Sequence, residues 1–220
     1  MFVGHLAVAF AAKRAAPRVP LPWLVAGGMF VDLVWPLLLL AGVETARIAP
    51  GATAFNALVF ESYPWTHSLA MGVAWGVVLA GVARGFGVAR EGLPVLMLTV
   101  PSHWVLDWVM HVPDLPLLPG STAMHGLGLW NSVAGTLAVE GALWAVALGL
   151  FLQARRPQGG KGVAALASFV VVTTLLWAGS AFGPPPPDVT ALAVSALALW
   201  LLLPWAWWVE RTSSDRARVG

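Results

Sequence analysis

His103, Asp107 and His111 follow one another at intervals of four residues. On a helix each step of four turns only about 40°, so the three side chains share one face. Imidazole and carboxylate are ligands for zinc and similar divalent ions. Two further acids, Asp32 and Glu140, also stand inside long apolar stretches, and those stretches contain no Lys or Arg. Three acids cannot neutralise one another in an apolar medium. They need protons, a metal ion or neighbouring histidines. An ionisable group at membrane depth is a candidate functional residue for that reason.

The elements that must position these residues follow from composition. Of 220 residues, 59% are hydrophobic and 10% charged, against about 25% charged in soluble domains. Thirteen Trp accompany a single Tyr, in keeping with interfacial and buried aromatic surface. The chain has no cysteine, which excludes disulfides and thiolate metal sites. A net charge of +2, dispersed along the chain, excludes nucleic acid as the expected partner. Met1 is followed by neither a basic segment nor a cleavage-site pattern, so no removable signal peptide is expected.

A spanning helix needs about 20 mainly apolar residues. Six stretches qualify: Leu21 to Val43, His67 to Ala83, Leu93 to Val112, Gly128 to Leu152, Val163 to Phe182 and Val189 to Val209. Phe2 to Ala12 is apolar but too short, and reads as a half-helix that tucks into the bundle or lies at the interface. Glu44 to Thr66 is the longest connection, and Pro184 to Pro187 is a rigid link. The expectation is an all-α polytopic membrane helix bundle, six spans plus a short N-terminal half-helix. Residues 1–220 form one transmembrane domain, with a motif-bearing core over 1–152 and two further spans over 163–209.

Basic residues near span ends set orientation. Lys13, Arg14, Arg18, Arg84, Arg90, Arg155, Arg156, Lys161, Arg211, Arg216 and Arg218 all fall on one side if six spans alternate; Arg47 alone falls opposite. That side is expected to be the cytoplasm. The C-terminal end of the third span then points outward, with His111 near the surface and Asp107 and His103 deeper. His67 opens the second span at the same end, and His5 can reach that depth.

His67, His103, Asp107 and Asp32 are therefore the expected metal ligands, Asp32 serving as a ligand or as general base. His5 and His111 are further candidates; His111, ranked below the others, reads as a ligand, a supporting residue or an interface histidine. Glu140 reads as a catalytic acid or base, or as a protonated group bonded to a neighbouring helix. His125 stands in a loop and is read as structural. Asn131 and Ser132 are read as a helix cap, and the tryptophans as packing and interface anchors.

Gly4-His5, Asp32, Thr66-His67-Ser68 and His103-x3-Asp107 together resemble the inner-membrane metal-dependent-hydrolase-like proteins of the LexA-regulated type. Ser102 to Gly120, SHWVLDWVMHVPDLPLLPG, and Gly126 to Ser132, GLGLWNS, resemble a small multi-pass subgroup with an HxxxDxxxH...PDLPLLPG pattern. The resemblance covers about the first 150 residues. It implies a metal-bound hydrolase of the bacterial inner membrane, acting on an ester or phosphoester. Two departures stand out. The family's Pro-Asp-x-Asp is here Met29-Phe30-Val31-Asp32, with one carboxylate, and its His-Arg-Gly is here Ser62-Tyr63-Pro64. A second metal and an anion-binding Arg are put in question, with His111 and Asp114 as the groups that compensate.

The expected function is hydrolysis of a lipid or lipid-linked (phospho)ester at the outer leaflet, with one divalent ion, zinc by ligand type. The alternative is a small transporter or permease that uses the same acids and histidines as a proton or cation path. No inverted repeat and no pair of broken helices is legible, and the inner halves of the spans are apolar.

Overall fold

The structure is a computed structural model that describes residues 1–215. Arg216 and Arg218, counted above among the basic residues, lie outside the described residues. Helix α1 (Val3–Ala15) runs into a two-part segment, α2 (Leu21–Gly28) and α3 (Phe30–Leu40), and then a hairpin of β1 (Thr45–Ile48) and β2 (Leu58–Ser62). The short helix α4 (Pro64–His67) leads into α5 (Leu69–Gly85), followed by α6 (Leu93–Met110). A two-residue pairing of β3 (Leu115–Pro116) with β4 (Met124–His125) precedes α7 (Val133–Ala154). Strand β5 (Arg155–Pro157), α8 (Gly159–Phe182), α9 (Val189–Ala196), α10 (Leu202–Arg211) and β6 (Ser213–Asp215) complete it, with a 3-10 turn joining α9 to α10.

Four helical segments are long and apolar enough to cross a membrane, and the bent pair α2–α3 makes up to five. Their outward faces carry large apolar side chains: Val77 is 55% exposed, Leu98 60%, Val146 62% and Leu175 65%. A water-soluble domain scatters such residues singly, whereas here they cover the bundle. This is the surface of a multi-pass membrane protein.

Two expectations change. The first span is not one helix: α2 and α3 meet at 55°. The break falls at Gly28–Met29, where Gly28 lets the bend press against α1. A Cβ at Gly28 would stand 2.6 Å from the His5 carbonyl oxygen, so no larger residue fits. Pro36 inside α3 removes a further ladder bond. The second span is shifted by two residues from the reading: His67 closes α4, and α5 runs from Leu69 to Gly85, because Ser68 takes extended backbone and caps α5 by accepting from Met71 N at 3.3 Å.

Helix α1, 13 residues and about 20 Å long, resolves its own alternative. Val3, Leu6, Ala9 and Phe10 are fully buried. The half-helix sits inside the bundle against α7, α6 and α2, with Phe10 packed on Trp144, Phe151 and Phe169.

The chain termini of α1, α7 and α10 meet at one end. Lys13 Nζ lies 2.8 Å from Glu210, which also contacts Arg155 at 3.2 Å. Trp23 and Phe86 touch there at 5.7 Å, so the turn after α5 joins the same end. The histidines gather at the other.

Candidate metal centre

Helix α6 carries the centre. It ends at Met110, three residues before Pro113, which could not continue the ladder; His111 already takes extended backbone at ψ 148°. His111 N still donates to the Asp107 carbonyl at 2.7 Å, so its ring stays on the face of His103 and Asp107. The released carbonyls are then capped from a distance: Leu127 N donates to Trp108 O at 2.8 Å and Gly128 N to His111 O at 2.6 Å. Gly126 makes this approach possible, since a Cβ there would stand 2.2 Å from Val112 O.

Asp107 is the hub. Its Oδ1 lies 3.1 Å from His5 Nε2, and its Oδ2 lies 3.0 Å from His103 Nε2, 3.7 Å from His111 Nε2 and 4.0 Å from His67 Nε2. All five residues are buried. Asp32, in the first turn of α3 just past the bend, sits 3.8 Å from His103 Nε2. Two triplets bring their donor atoms within 4.8 Å of one another: His5, His103 and Asp107, and Asp32, His67 and His103. A tetrahedral zinc site holds its donors about 3.3 Å apart, so either triplet needs only side-chain closing to hold an ion. His103 Nε2 is buried and makes no well-directed hydrogen bond. That orphaned nitrogen fits a ligand set that an ion would complete.

The imidazole orientations favour the same role. His103 Nδ1 lies 3.2 Å from the Gly28 carbonyl, which can only accept, so Nδ1 carries the proton. His111 Nδ1 donates to Asp114 Oδ1 at 2.9 Å. The Tyr63 hydroxyl donates to the same oxygen at 2.7 Å. His67 Nδ1 contacts Thr66 Oγ1 at 2.7 Å. Three of the four histidines thus have Nδ1 tied to an oxygen while Nε2 faces Asp107. Metal-ligating histidines are held in this way by their outer partners. His5 differs: it stacks on His103 at 3.5 Å, and its Nδ1 is buried without a partner.

The positive charge against Asp107 is the Met1 α-ammonium, 2.5 Å from Oδ1 and 3.2 Å from His5 Nε2. Glu140 faces the same cavity but has a structural engagement: its Oε2 accepts from Phe2 N at 2.9 Å and Gly4 N at 3.3 Å, anchoring the start of α1. Its Oε1 is buried without a partner. His125 stays apart from the cluster, on β4, with its ring 6.2 Å from Trp104. Four of the five histidines converge, and the loop histidine does not. Ser132 caps α7 by accepting from Gly135 N at 3.1 Å.

Several supporting groups escaped the sequence reading. Glu44 accepts from Trp65 N, Thr66 N and the Thr66 hydroxyl at 2.8, 2.9 and 2.6 Å. Burial pushes its carboxyl above the usual range, and those hydrogen bonds pull it back. Burial, followed by the charge of Asp114, likewise pushes the Tyr63 phenol up. No sequence signal separates Glu44 from Glu61 in the same connection: Glu61 pairs at the exposed surface with Arg47, and only the fold distinguishes them. A cavity of about 170 Å³ opens onto the cluster, with Asp32, His67, Asp107 and His111 on its floor and Phe60 and Trp130 in its walls.

No known protein family, curated protein or solved structure matches the chain.

Proposed function

We propose that this protein is a membrane-embedded, metal-dependent hydrolase acting on a lipid or lipid-linked (phospho)ester, with one divalent ion held by His103, Asp107, His67 and one of His5, His111 or Asp32. The observation that carries the reading is the set of four Nε2 atoms aimed at one buried carboxylate, three of them oriented by an oxygen at Nδ1. A bound divalent ion supplies Lewis acidity and a water whose pKa falls to about 7. Asp32 is 21% exposed at its side chain, the most open of the cluster's acids. It faces the cavity, which suits it to take a proton from that water. Glu140 holds the floor of the cavity through the N-terminus of α1 and has one oxygen free to receive a proton.

Aromatic walls favour an acyl or isoprenoid substrate. Trp35, Phe60, Trp130 and Trp177 line the cavity above the polar floor. We read the bent pair and the 17-residue α5, at the lower limit of spanning length, as crossings beside the four long helices, which makes six in this reading. The basic end then faces the cytoplasm, and the centre opens toward the outer leaflet of a bacterial inner membrane, in line with the LexA-regulated hydrolase-like resemblance.

The bend ahead of Asp32 favours a second reading, a cation path, because broken helices mark ion sites in transporters. Below the cluster, however, Leu24, Leu96, Phe151 and Phe169 form an apolar core. Elemental analysis of protein purified without chelators separates the two: about one divalent ion per chain is expected, and its absence overturns the hydrolase.

A further inference from the structure

Glu44, in the connection between α3 and α4, reaches the centre without taking part in the ligand set. Glu44 is 1% exposed although it stands in a loop, and Thr66 beneath it is equally buried. Its Oε1 accepts two backbone N–H groups, from Trp65 and Thr66, and its Oε2 accepts the Thr66 hydroxyl at 2.6 Å. A threonine has one hydroxyl proton. Committed to Glu44, that proton leaves only lone pairs on Oγ1 to meet His67 Nδ1 at 2.7 Å. The imidazole must therefore donate from Nδ1, and Nε2, 4.0 Å from Asp107 Oδ2, keeps its lone pair facing the centre.

We infer that Glu44 is a positioning residue that sets the His67 tautomer through the Thr66 hydroxyl, and so makes His67 a ligand rather than a donor toward Asp107. The inference rests on the hydrolase reading for its consequence, but not for the tautomer itself. The Thr66-His67-Ser68 run then divides into three tasks: hydroxyl relay, ligand, and cap of α5.

Two variants bear on this directly. Glu44→Gln keeps an oxygen for the two backbone donors and turns an amide N–H toward Thr66. The hydroxyl is then free to donate to Nδ1, which moves the imidazole proton to Nε2. Thr66→Val removes the relay at nearly constant shape, and Thr66→Ser restores it. Nitrogen-15 spectra of His67 in metal-stripped protein are expected to show an Nδ1–H imidazole in wild type and Thr66→Ser. Glu44→Gln is expected to give Nε2–H, and Thr66→Val a mixture. Zinc affinity measured on the same proteins should fall by about 10–100-fold in Glu44→Gln and Thr66→Val, the range for outer partners of metal ligands, and recover in Thr66→Ser. An Nε2–H imidazole in wild type, or an unchanged tautomer in both damaging variants, overturns the inference. Zinc that fails to bind wild type sinks the hydrolase reading instead, while the tautomer result still decides the role of Glu44.

Discussion

Two buried ionic clusters sit at opposite ends of this bundle, and they are built on opposite principles. At the basic end, Lys13 and Arg155 face Glu210 and Asp215, at 2.8 Å for Lys13–Glu210 and 2.6 Å for Arg155–Asp215. Among the described residues, two cations meet two acids. Lys13 Nζ also donates to Val19 O at 2.7 Å, Leu21 N donates to Glu210 Oε2 at 3.0 Å, and Arg155 donates to the Glu210 and Ser213 carbonyls. Among the described residues each of these charges has an opposite partner, and the cluster ties α1, α2, α7 and α10 together. At the other end Asp32, Asp107 and Glu140 line a cavity with His67 and His111, and Asp107 also meets His5, His103 and the Met1 α-ammonium, with no Lys or Arg side chain among the described residues that line it. Hydrogen bonds are left over there: His5 Nδ1 and Glu140 Oε1 are buried without a partner, and His103 Nε2, although 3.0 Å from Asp107, makes no well-directed hydrogen bond. Buried polarity that closes on itself is structure, and buried polarity that stays open awaits a ligand.

The largest effect should come from the open cluster. Asp107→Asn keeps size and one acceptor but removes the anion; His103→Ala removes the nitrogen that both candidate triplets share. Each should weaken zinc binding by more than about 100-fold, beyond the range for outer partners, while the helical content of detergent-purified protein stays unchanged. Metal content at wild-type level in either variant would break the contrast. Lys13→Met at the closed end should do the reverse. It leaves Glu210 with Arg155 and the Leu21 N–H, so a loss near the lower end for breaking a buried pair, about 3 kcal/mol, is expected. The melting temperature in detergent should drop with metal stoichiometry intact.

How far the sequence revealed this contrast depended on the kind of signal. The shared face of His103, Asp107 and His111 survives because it depends on α6 and its C-cap alone: His111, just past the helix end, still donates its N–H to the Asp107 carbonyl. Membrane class was legible from composition, since no fold of this size can hide so much apolar surface from water. The bend at Gly28 was not, because glycine within an apolar run reads as ordinary span; its necessity appears only when α1 presses against it. Glu44, Tyr63 and the Gly28 carbonyl were silent for the same reason, being partners brought in from other elements.

Gly28 turns that lesson into a measurement. Gly28→Ala places a Cβ about 2.6 Å from the His5 carbonyl, so α1 must move and the 3.5 Å stack of His5 on His103 must open. Overpacking of this kind costs about 1–3 kcal/mol. Zinc affinity should fall by roughly 10-fold, about 1.4 kcal/mol, although no ligand is touched. Unchanged affinity would mean that His5 and the bend contribute nothing to the centre.

The smallest expected effect is the most discriminating, because it removes a single hydroxyl. Tyr63 is 3% exposed, with its ring 4.8 Å from that of His67 and 5.0 Å from that of Phe60. Tyr63→Phe preserves those contacts and takes away only the O–H that reaches Asp114 Oδ1. That oxygen also accepts from His111 Nδ1, so the carboxylate keeps its imidazole partner and loses one of two donors. A single hydrogen bond to a charged acceptor is worth about 1.5–3 kcal/mol, and one whose acceptor remains otherwise engaged falls toward the lower figure. The melting temperature should therefore fall by a few degrees. If His111 is a ligand, zinc affinity should fall a few-fold with it, because a freer Asp114 holds the imidazole less firmly. If His111 only lines the cavity, stability falls and affinity does not move. Calorimetric titration of zinc into wild type and Tyr63→Phe, beside thermal melts of both, assigns His111 to the centre or to its wall.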